Sequence, residues 1–565
     1  MLKSFWLKKT NLLTWQKLPK KAYLKNDDNK YLWFPDGKMN IYENCILKYI
    51  ENGLKNKIAI HTISKKRIIK NYTYIQLDKL IDNFIQNLLK KNKNKKLKRI
   101  MIHSSANINS AVSMLALSKL GIFFSVIFED LPLEAIKKRI DLFKPNLIIS
   151  NTLSNKDCMK SKVLSFDQLQ IKNKKIVKKK LNYFKADRDF FTLFTSGSTG
   201  MPKGIVHSMG GYLLYTKFTC IEQFGMNDSS IVLTASDAGW INGHTYALFG
   251  PLSLGATTVL LESPMLVIDE LFLIKLLKLQ INILYLPVTI IRIMKKLFSK
   301  KKITNHKLQT LGSMGEPLAP SVGSWITKKM KMNKNSIVNT YFQTETAGII
   351  SSPKYSEDCK SRPHGSVGDT TNKIIKLNIK SNKKPQEIKI LTPWPGLMKR
   401  VINGENEWKK YWDNNQKFRM FDLGQIRKKN LYIHGRVDDV INIRGHRIGS
   451  AEVESVILSN KNVSECCAIS IFDELEGNKF FIFVVSKKNN IEIDINKIIQ
   501  SNFGSFALPK KIYKVKELPK TRSGKYLRRL LRILAENPNT KNLGDISTIN
   551  NIKSLDNLKN AIKSS

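Results

Sequence analysis

Acidic side chains are scarce in this chain. Asp and Glu together number 45 against 95 Lys and Arg, a formal net charge of +50 in 565 residues. So basic a chain raises polyanions, a nucleic acid or an anionic membrane, as partners. The excess is mostly lysine, however, and it travels with abundant asparagine and isoleucine. These three residues share A/T-rich codons, so base composition accounts for the bias. The densest runs, at 91–99 and 174–180, carry no interleaved aromatics and read as solvated faces. The expectation is no nucleic-acid partner, with the positive field drawing in small anionic substrates.

Cysteine is sparse as well. Cys45, Cys158, Cys220, Cys359, Cys466 and Cys467 form no CxxC or Cys/His spacing, which excludes a zinc site. Adjacent Cys466 and Cys467 could pair only with strain, and six scattered thiols point to a reducing compartment. Long hydrophobic runs are missing too. The first 20 residues are basic and lack the apolar core of a signal peptide. The most apolar stretch, 111–128, is interrupted by Ser113, Ser118 and Lys119, and reads as a buried helix followed by a strand, not a membrane span. The chain is therefore expected to be cytoplasmic, with no membrane partner.

What is present is a large core: 42% of residues are hydrophobic. The length asks for two or more domains, one of them large. Strand-length apolar runs at 99–103, 146–150 and 281–285 alternate with helical patterns at 106–119 and 132–142. That alternation predicts a large N-terminal α/β domain with largely parallel sheets. Beyond Asp439 the segments shorten: a helix over 451–458, strands over 463–472 and 480–486, and a helix over 494–502. They predict a small, mobile C-terminal α+β domain. The expected boundaries are 1–437, 438–536 and a loosely packed polar tail, 537–565.

The strongest local signal follows an apolar strand at 189–194: Thr195, Ser196, Gly197, Ser198, Thr199, Gly200, Met201, Pro202, Lys203, Gly204. Glycines let backbone N–H groups approach an anion, the hydroxyls add donors and Lys203 adds charge. It is not a Walker A loop, because no Gly-Lys-Ser/Thr stands at the required spacing. A phosphate-binding loop is the expectation.

This loop resembles the phosphate loop of the adenylate-forming superfamily of acyl-CoA synthetases, adenylation domains and luciferases. Further motifs of that family follow in order: Ser236-Asp237-Ala238-Gly239-Trp240-Ile241-Asn242-Gly243-His244, Gly315-Glu316-Pro317, Tyr341-Phe342-Gln343-Thr344-Glu345-Thr346, Asp422-Leu423-Gly424, Gly435-Arg436-Val437-Asp438-Asp439, Arg444-Gly445-His446-Arg447 and Pro519-Lys520-Thr521-Arg522-Ser523-Gly524-Lys525. The tail from Asn542 to Thr548 is similar as well. The resemblance spans nearly the whole chain, and its motifs together are highly specific. It implies an AMP-forming ligase that activates a short carboxylate, acetate or propionate, with ATP, and then forms acyl-CoA. The implied cofactors are ATP and Mg²⁺, with coenzyme A as co-substrate.

The resemblance also implies residue roles. Thr195, Ser196, Gly197, Ser198, Thr199, Gly200 and Lys203 would hold the leaving phosphates. Gly315, Glu316, Pro317, Asn339, Thr340, Tyr341 and Phe342 would border the adenine. Gln343 and Thr344 would face the nucleotide phosphate, Asp422 would accept both ribose hydroxyls, Arg436 would contact ribose and Arg447 the phosphate region. Glu345 would bind Mg²⁺, a hard cation suited to a carboxylate oxygen. Lys525 would bridge the attacking carboxylate and the α-phosphate, stabilising charge that exists only in the transition state. Ile241, Met314 and Phe342 would line the acyl pocket. Phe342 stands where acetyl-CoA synthetases have Trp and enzymes for longer acids have Gly, so a small pocket is expected. Asn242, Arg444 and Gly445 would meet coenzyme A, Asp438 would be the hinge, and carbonyls of Leu458, Asn460 and Val463 would offer a second metal site.

The chain departs most from the family at the coenzyme A site. Glu129-Asp130-Leu131 stands where Gly-Gly-Phe is usual, Gln500 and Arg444 replace the usual residues, and the usual Arg-x-x-Arg is missing, with Lys156 and Lys160 nearby. Added carboxylates near a phosphate are unfavourable. An adenylating enzyme with a different acyl acceptor therefore stays open. So does a basic binding protein on an inactive synthetase scaffold, which intact Lys525, Glu345 and Asp422 argue against.

Overall fold

The computed structural model describes residues 1–565 except 94–96, 159–160, 172–179, 197–201, 305, 334–335, 356–362, 371–372, 381–383, 403, 438–439, 444–445, 474–476, 504–506, 522–523, 545, 547 and 565. At 196, 440–443, 446–449, 451–452, 472–473, 477–479 and 503 only the backbone is described.

Two seven-stranded sheets build the large domain. The first places Phe123–Ile127, Arg99–His103, Leu147–Ile149 and Lys162–Leu164 in parallel beside Asp189–Ser196. Pro202–Ser208 and Arg400–Val401 extend it antiparallel at one edge. Successive strand side chains face opposite ways, so Ile100 and Ile102 enter the main core with helices Tyr74–Lys91 and Ile108–Leu120. Met101, Phe123 and Ile127 pack instead on the helix Leu133–Phe143. Local chemistry sets the helix ends. Thr73 with Gln76, and Asn107 with Ser110, form capping boxes. Gly121 closes the second helix in a left-handed turn at φ +63°.

The second sheet runs Ile337–Asn339, Thr310–Met314, Ile283–Pro287, Ile231–Thr234, Thr257–Leu261 and Ile58–Ile63 in parallel, with Ile69–Thr73 antiparallel at its edge. Leu233, Val259, Leu284 and Leu311 face the helices Glu270–Leu277, Val288–Leu297 and Pro320–Lys329. Val232, Ile283, Tyr285 and Val338 face Cys220 and Phe224 of the helix Met209–Phe224. A three-stranded antiparallel sheet, Gln386–Ile390, Phe418–Arg427 and Asn430–Arg436, completes the domain.

In the small domain, Val463–Asp473 and Gly477–Ser486 pair antiparallel, and Lys511–Lys514 joins in parallel. Cys466 faces the helices Ser450–Ile457 and Ile491–Phe503, whereas Cys467 faces the helix Arg528–Glu536. Opposite faces of one strand keep these neighbouring thiols apart. All five described cysteines are buried thiols. The tail differs from its sequence expectation: Lys553–Lys563 is a helix, and Leu555 and Leu558 bury against Leu530, Leu531 and Leu534. Its apolar residues are few but spaced one turn apart, enough for a docking stripe. Among the described residues, no helix is long and apolar enough to cross a membrane.

Candidate active site

The C-terminal ends of the parallel strands Thr310–Met314 and Ile337–Asn339 carry two of the expected motifs, where open α/β sheets place their ligands. Gly315 follows directly at φ +89°, and a Cβ there would meet nothing within 4 Å. It therefore needs glycine's backbone freedom and leaves an open ledge. The segment opposite is tied down. Ser313 donates to Asn339 Oδ1 at 2.9 Å, Asn339 Nδ2 donates to the Ser366 carbonyl at 2.9 Å, and Thr340 Oγ1 donates to the Ser313 carbonyl at 2.8 Å.

Asp422 lies on the strand Phe418–Arg427, beside Phe421 at φ +54° and a register shift between Leu423 and Gly424. Positive φ at an aromatic residue is costly and accompanies functional sites. The Asp422 carboxylate accepts from Tyr341 Oη at 2.8 Å and from Gln343 Nε2 at 2.6 Å, both on Oδ2, while Arg436 Nη1 stands 3.5 Å from Oδ1. Burial pushes its carboxyl above the ordinary range. The charges of Arg436 and Lys525 and the bonds from Tyr341 and Gln343 oppose that shift. Lys525, from the small domain, is thus within electrostatic reach of Asp422.

Glu345 is half-buried, and its Oε1 accepts from Tyr411 Oη at 2.7 Å. Its other oxygen has no hydrogen-bond partner among the described residues. One oriented carboxylate with a spare oxygen fits Mg²⁺, which typically binds through one or two carboxylates, substrate phosphates and retained waters. The turn bearing Glu345 is fixed from below: His207 Nε2 donates to the Thr344 carbonyl at 2.7 Å. Burial holds the His207 pKa down to about 4, so the ring is a neutral donor.

The expected phosphate loop is flanked by two strands of the first sheet. Thr195 pairs with Lys203 and Ser196 with Pro202 across antiparallel strands. Gly197, Ser198, Thr199 and Gly200 lie outside the described residues, as do Asp438, Arg444, Gly445 and the side chain of Arg447. Lys203 Nζ stands 2.6 Å from Glu407 Oε2.

At the acyl end, Ile241 and Met314 are buried, and half-buried Phe342 meets Tyr246 edge to face at 5.7 Å. Asn242, expected at coenzyme A, has its amide against the Met314 sulfur, beside this pocket. Near the expected coenzyme A entrance, Glu129 is paired with Lys65 at 3.9 Å, which partly offsets its charge. Leu458, Asn460 and Val463 form one turn of the small domain, in which the Asn460 carbonyl accepts from the Val463 N–H at 3.1 Å. The described residues hold no cluster of three or more His, Cys, Asp or Glu able to hold a metal.

His207, Tyr411 and Glu407 escaped the sequence reading. His207 alone left a trace, as a polar residue inside the apolar strand that follows the loop.

A model of the AMP-binding enzyme family matches residues 51–389, the AMP-binding enzyme C-terminal domain matches 452–525, and the acetyl-coenzyme A synthetase N-terminus matches 2–45. The acetyl-coenzyme A synthetase of Helicobacter pylori strain G27 is 32% identical, over 96% of this chain and 91% of its own length. That of Leptospira biflexa is 32% identical over 96% and 92%, and that of Streptomyces avermitilis 29% over 98% and 92%. Among solved structures, acetoacetyl-CoA synthetase from Streptomyces lividans superposes with a TM-score of 0.82 at 15% identity, covering 100% of this chain and 93% of that one. An anthranilate CoA ligase holding anthranoyl-AMP gives 0.76 at 17%, covering 88% and 97%. At these identities the two structures speak to the fold alone.

Proposed function

From the premise that the chain belongs to the AMP-binding enzyme family of acyl-adenylate-forming CoA ligases, we propose that it activates acetate, with propionate a close second. What supports this reading is the acyl end, where Ile241 and Met314 are buried and the Phe342 ring meets Tyr246 edge to face, bulky side chains that favour a short acid.

In the first half-reaction a carboxylate oxygen bonds to the α-phosphorus of ATP and pyrophosphate leaves. This brings anions together, so fixed donors and cations lower the barrier most. Lys203 and the loop that begins at Thr195 hold the leaving phosphates once Lys203 exchanges Glu407 for phosphate oxygen. Lys525 stabilises the charge developing between carboxylate and α-phosphate. Asp422, held by Tyr341 and Gln343, accepts the ribose hydroxyls, with Arg436 beside it. Glu345 and the nucleotide phosphates would hold Mg²⁺, which neutralises phosphate charge when bound. In the second half-reaction the sulfur of coenzyme A attacks the acyl carbonyl, AMP leaves and the thiol proton passes to solvent. A rotation of the small domain about Asp438 exchanges the faces used in the two steps.

The test is product analysis with ATP, acetate and coenzyme A. AMP, pyrophosphate and acetyl-CoA are expected. ADP and phosphate would overturn the reading, and pyrophosphate exchange without thioester would transfer the acyl group to another acceptor.

A further inference from the structure

The helix Val288–Leu297 of the large domain presents Thr289 and Arg292, three residues apart and so on one face, toward the small domain. A Cβ on Gly524, the residue before Lys525, would run into the Thr289 side chain, so this loop sits against the helix with no room for a larger residue. Gly524 stands at φ +83°, which glycine alone adopts without strain.

Four charges meet beside that contact. Within the large domain, Arg292 Nη1 pairs with Glu316 Oε2 at 2.7 Å, both side chains largely buried. Within the small domain, Arg528 Nη2 reaches both oxygens of Glu454 at 2.6 Å. Across the boundary, Glu454 and Tyr526 act on Arg292, and burial, with the Glu316 charge adding to it, pushes the Glu454 carboxyl up. Arg292 and Arg528 thus each neutralise the acid of their own domain where the two domains meet. The cluster is incompletely satisfied: Arg292 Nε and Glu316 Oε1 are buried with no hydrogen-bond partner among the described residues. Unsatisfied polar atoms weaken an interface, which suits a contact that must form and release in each turnover.

We propose that Arg292 is a positioning residue for adenylation: it latches the small domain in the orientation that brings Lys525 to the Asp422 site, and it has no part in thioester formation. This rests on the ligase reading above, and wild-type protein tests that reading first. Without Arg292, Glu316 loses its cation while Glu454 keeps only its own, Arg528, so the docked orientation loses population and the first half-reaction suffers selectively.

The experiment uses the full chain and the acid that the wild type activates. Pyrophosphate exchange and thioester formation from the synthetic acyl-adenylate are measured on the same preparations of wild type, Arg292→Met and Arg292→Lys. Arg292→Met is expected to lower exchange by roughly 10- to 100-fold, the scale of a misassembled closed site. Thioester formation should stay within about threefold of wild type, which also reports a folded protein. Arg292→Lys, keeping the charge, should recover at least part of the exchange. Equal loss of both half-reactions assigns Arg292 a merely structural role and overturns the proposal, as does no loss in either. A wild type inactive in both would instead sink the ligase reading.

Discussion

The two ends of the candidate site are built differently. At the ribose end, Asp422, Tyr341, Gln343 and Arg436 all belong to the large domain, and the carboxylate is bonded before any ligand arrives. At the reacting end, Lys525 arrives on another domain, held by a glycine packed on Thr289 and by an incompletely satisfied charge cluster. The difference separates two tasks. In the proposed mechanism, recognition of the nucleotide is needed in both half-reactions, and the end assigned to it is preorganised. In the same mechanism, the charge needed in only one transition state is delivered by the small domain and withdrawn with it.

That contrast is sharpest in half-reaction kinetics. Lys525→Ala should lower pyrophosphate exchange by about 10²–10⁴, the scale of losing a charge-stabilising donor, while thioester formation from preformed acetyl-adenylate survives. Equal losses in both would erase the distinction between the ends. Asp422→Asn should act on both halves, because the adenylate carries the same ribose. A decrease of roughly 10- to 100-fold in kcat/KM for ATP and for acetyl-adenylate is expected from weakening charge-assisted hydrogen bonds. An effect confined to one half would mean that this end too is remodelled between steps.

Phe342→Gly leaves both ends intact and opens the acyl pocket. Butyrate and hexanoate should gain on acetate, by at least about 10-fold in relative kcat/KM, since each accommodated methylene is worth about 1–3 kcal/mol. An unchanged chain-length profile would place the acyl chain elsewhere.

The smallest effect concerns the buried floor beneath the prebuilt end. Burial holds the His207 pKa down to about 4 and that of His244 to about 3, from an ordinary 6.5. The unfolded chain binds these protons near pH 6.5 and the folded chain does not, so stability is present above that pH and falls as pH drops toward 4. The thermal midpoint should decline by a few degrees over this window. The decline should be shallower in His207→Gln, which keeps a donor for the Thr344 carbonyl and cannot titrate. A parallel decline in the variant would remove His207 from the account.

The sequence by itself determined the elements and the chemical cast. Strand-length runs such as 99–103 and the helix at 132–142 were legible because burial imposes periods of 2 and 3.6 on residues close in the chain. The motifs bearing Asp422, Glu345 and Lys525 were legible only through their resemblance to the adenylate-forming superfamily, since alone each reads as an ordinary loop or surface residue. The tail helix was less so, since Leu555 and Leu558 declare a face only when Leu530 and Leu534 are there to cover it. Only the tertiary structure decided that Tyr411 holds Glu345, that His207 supports Thr344, that Glu407 occupies Lys203, and that Arg292 pairs with Glu316 beside the contact of Thr289 with Gly524. These partners lie up to hundreds of positions apart, and Coulomb and hydrogen-bond energies depend on distance in space, which local patterning does not encode.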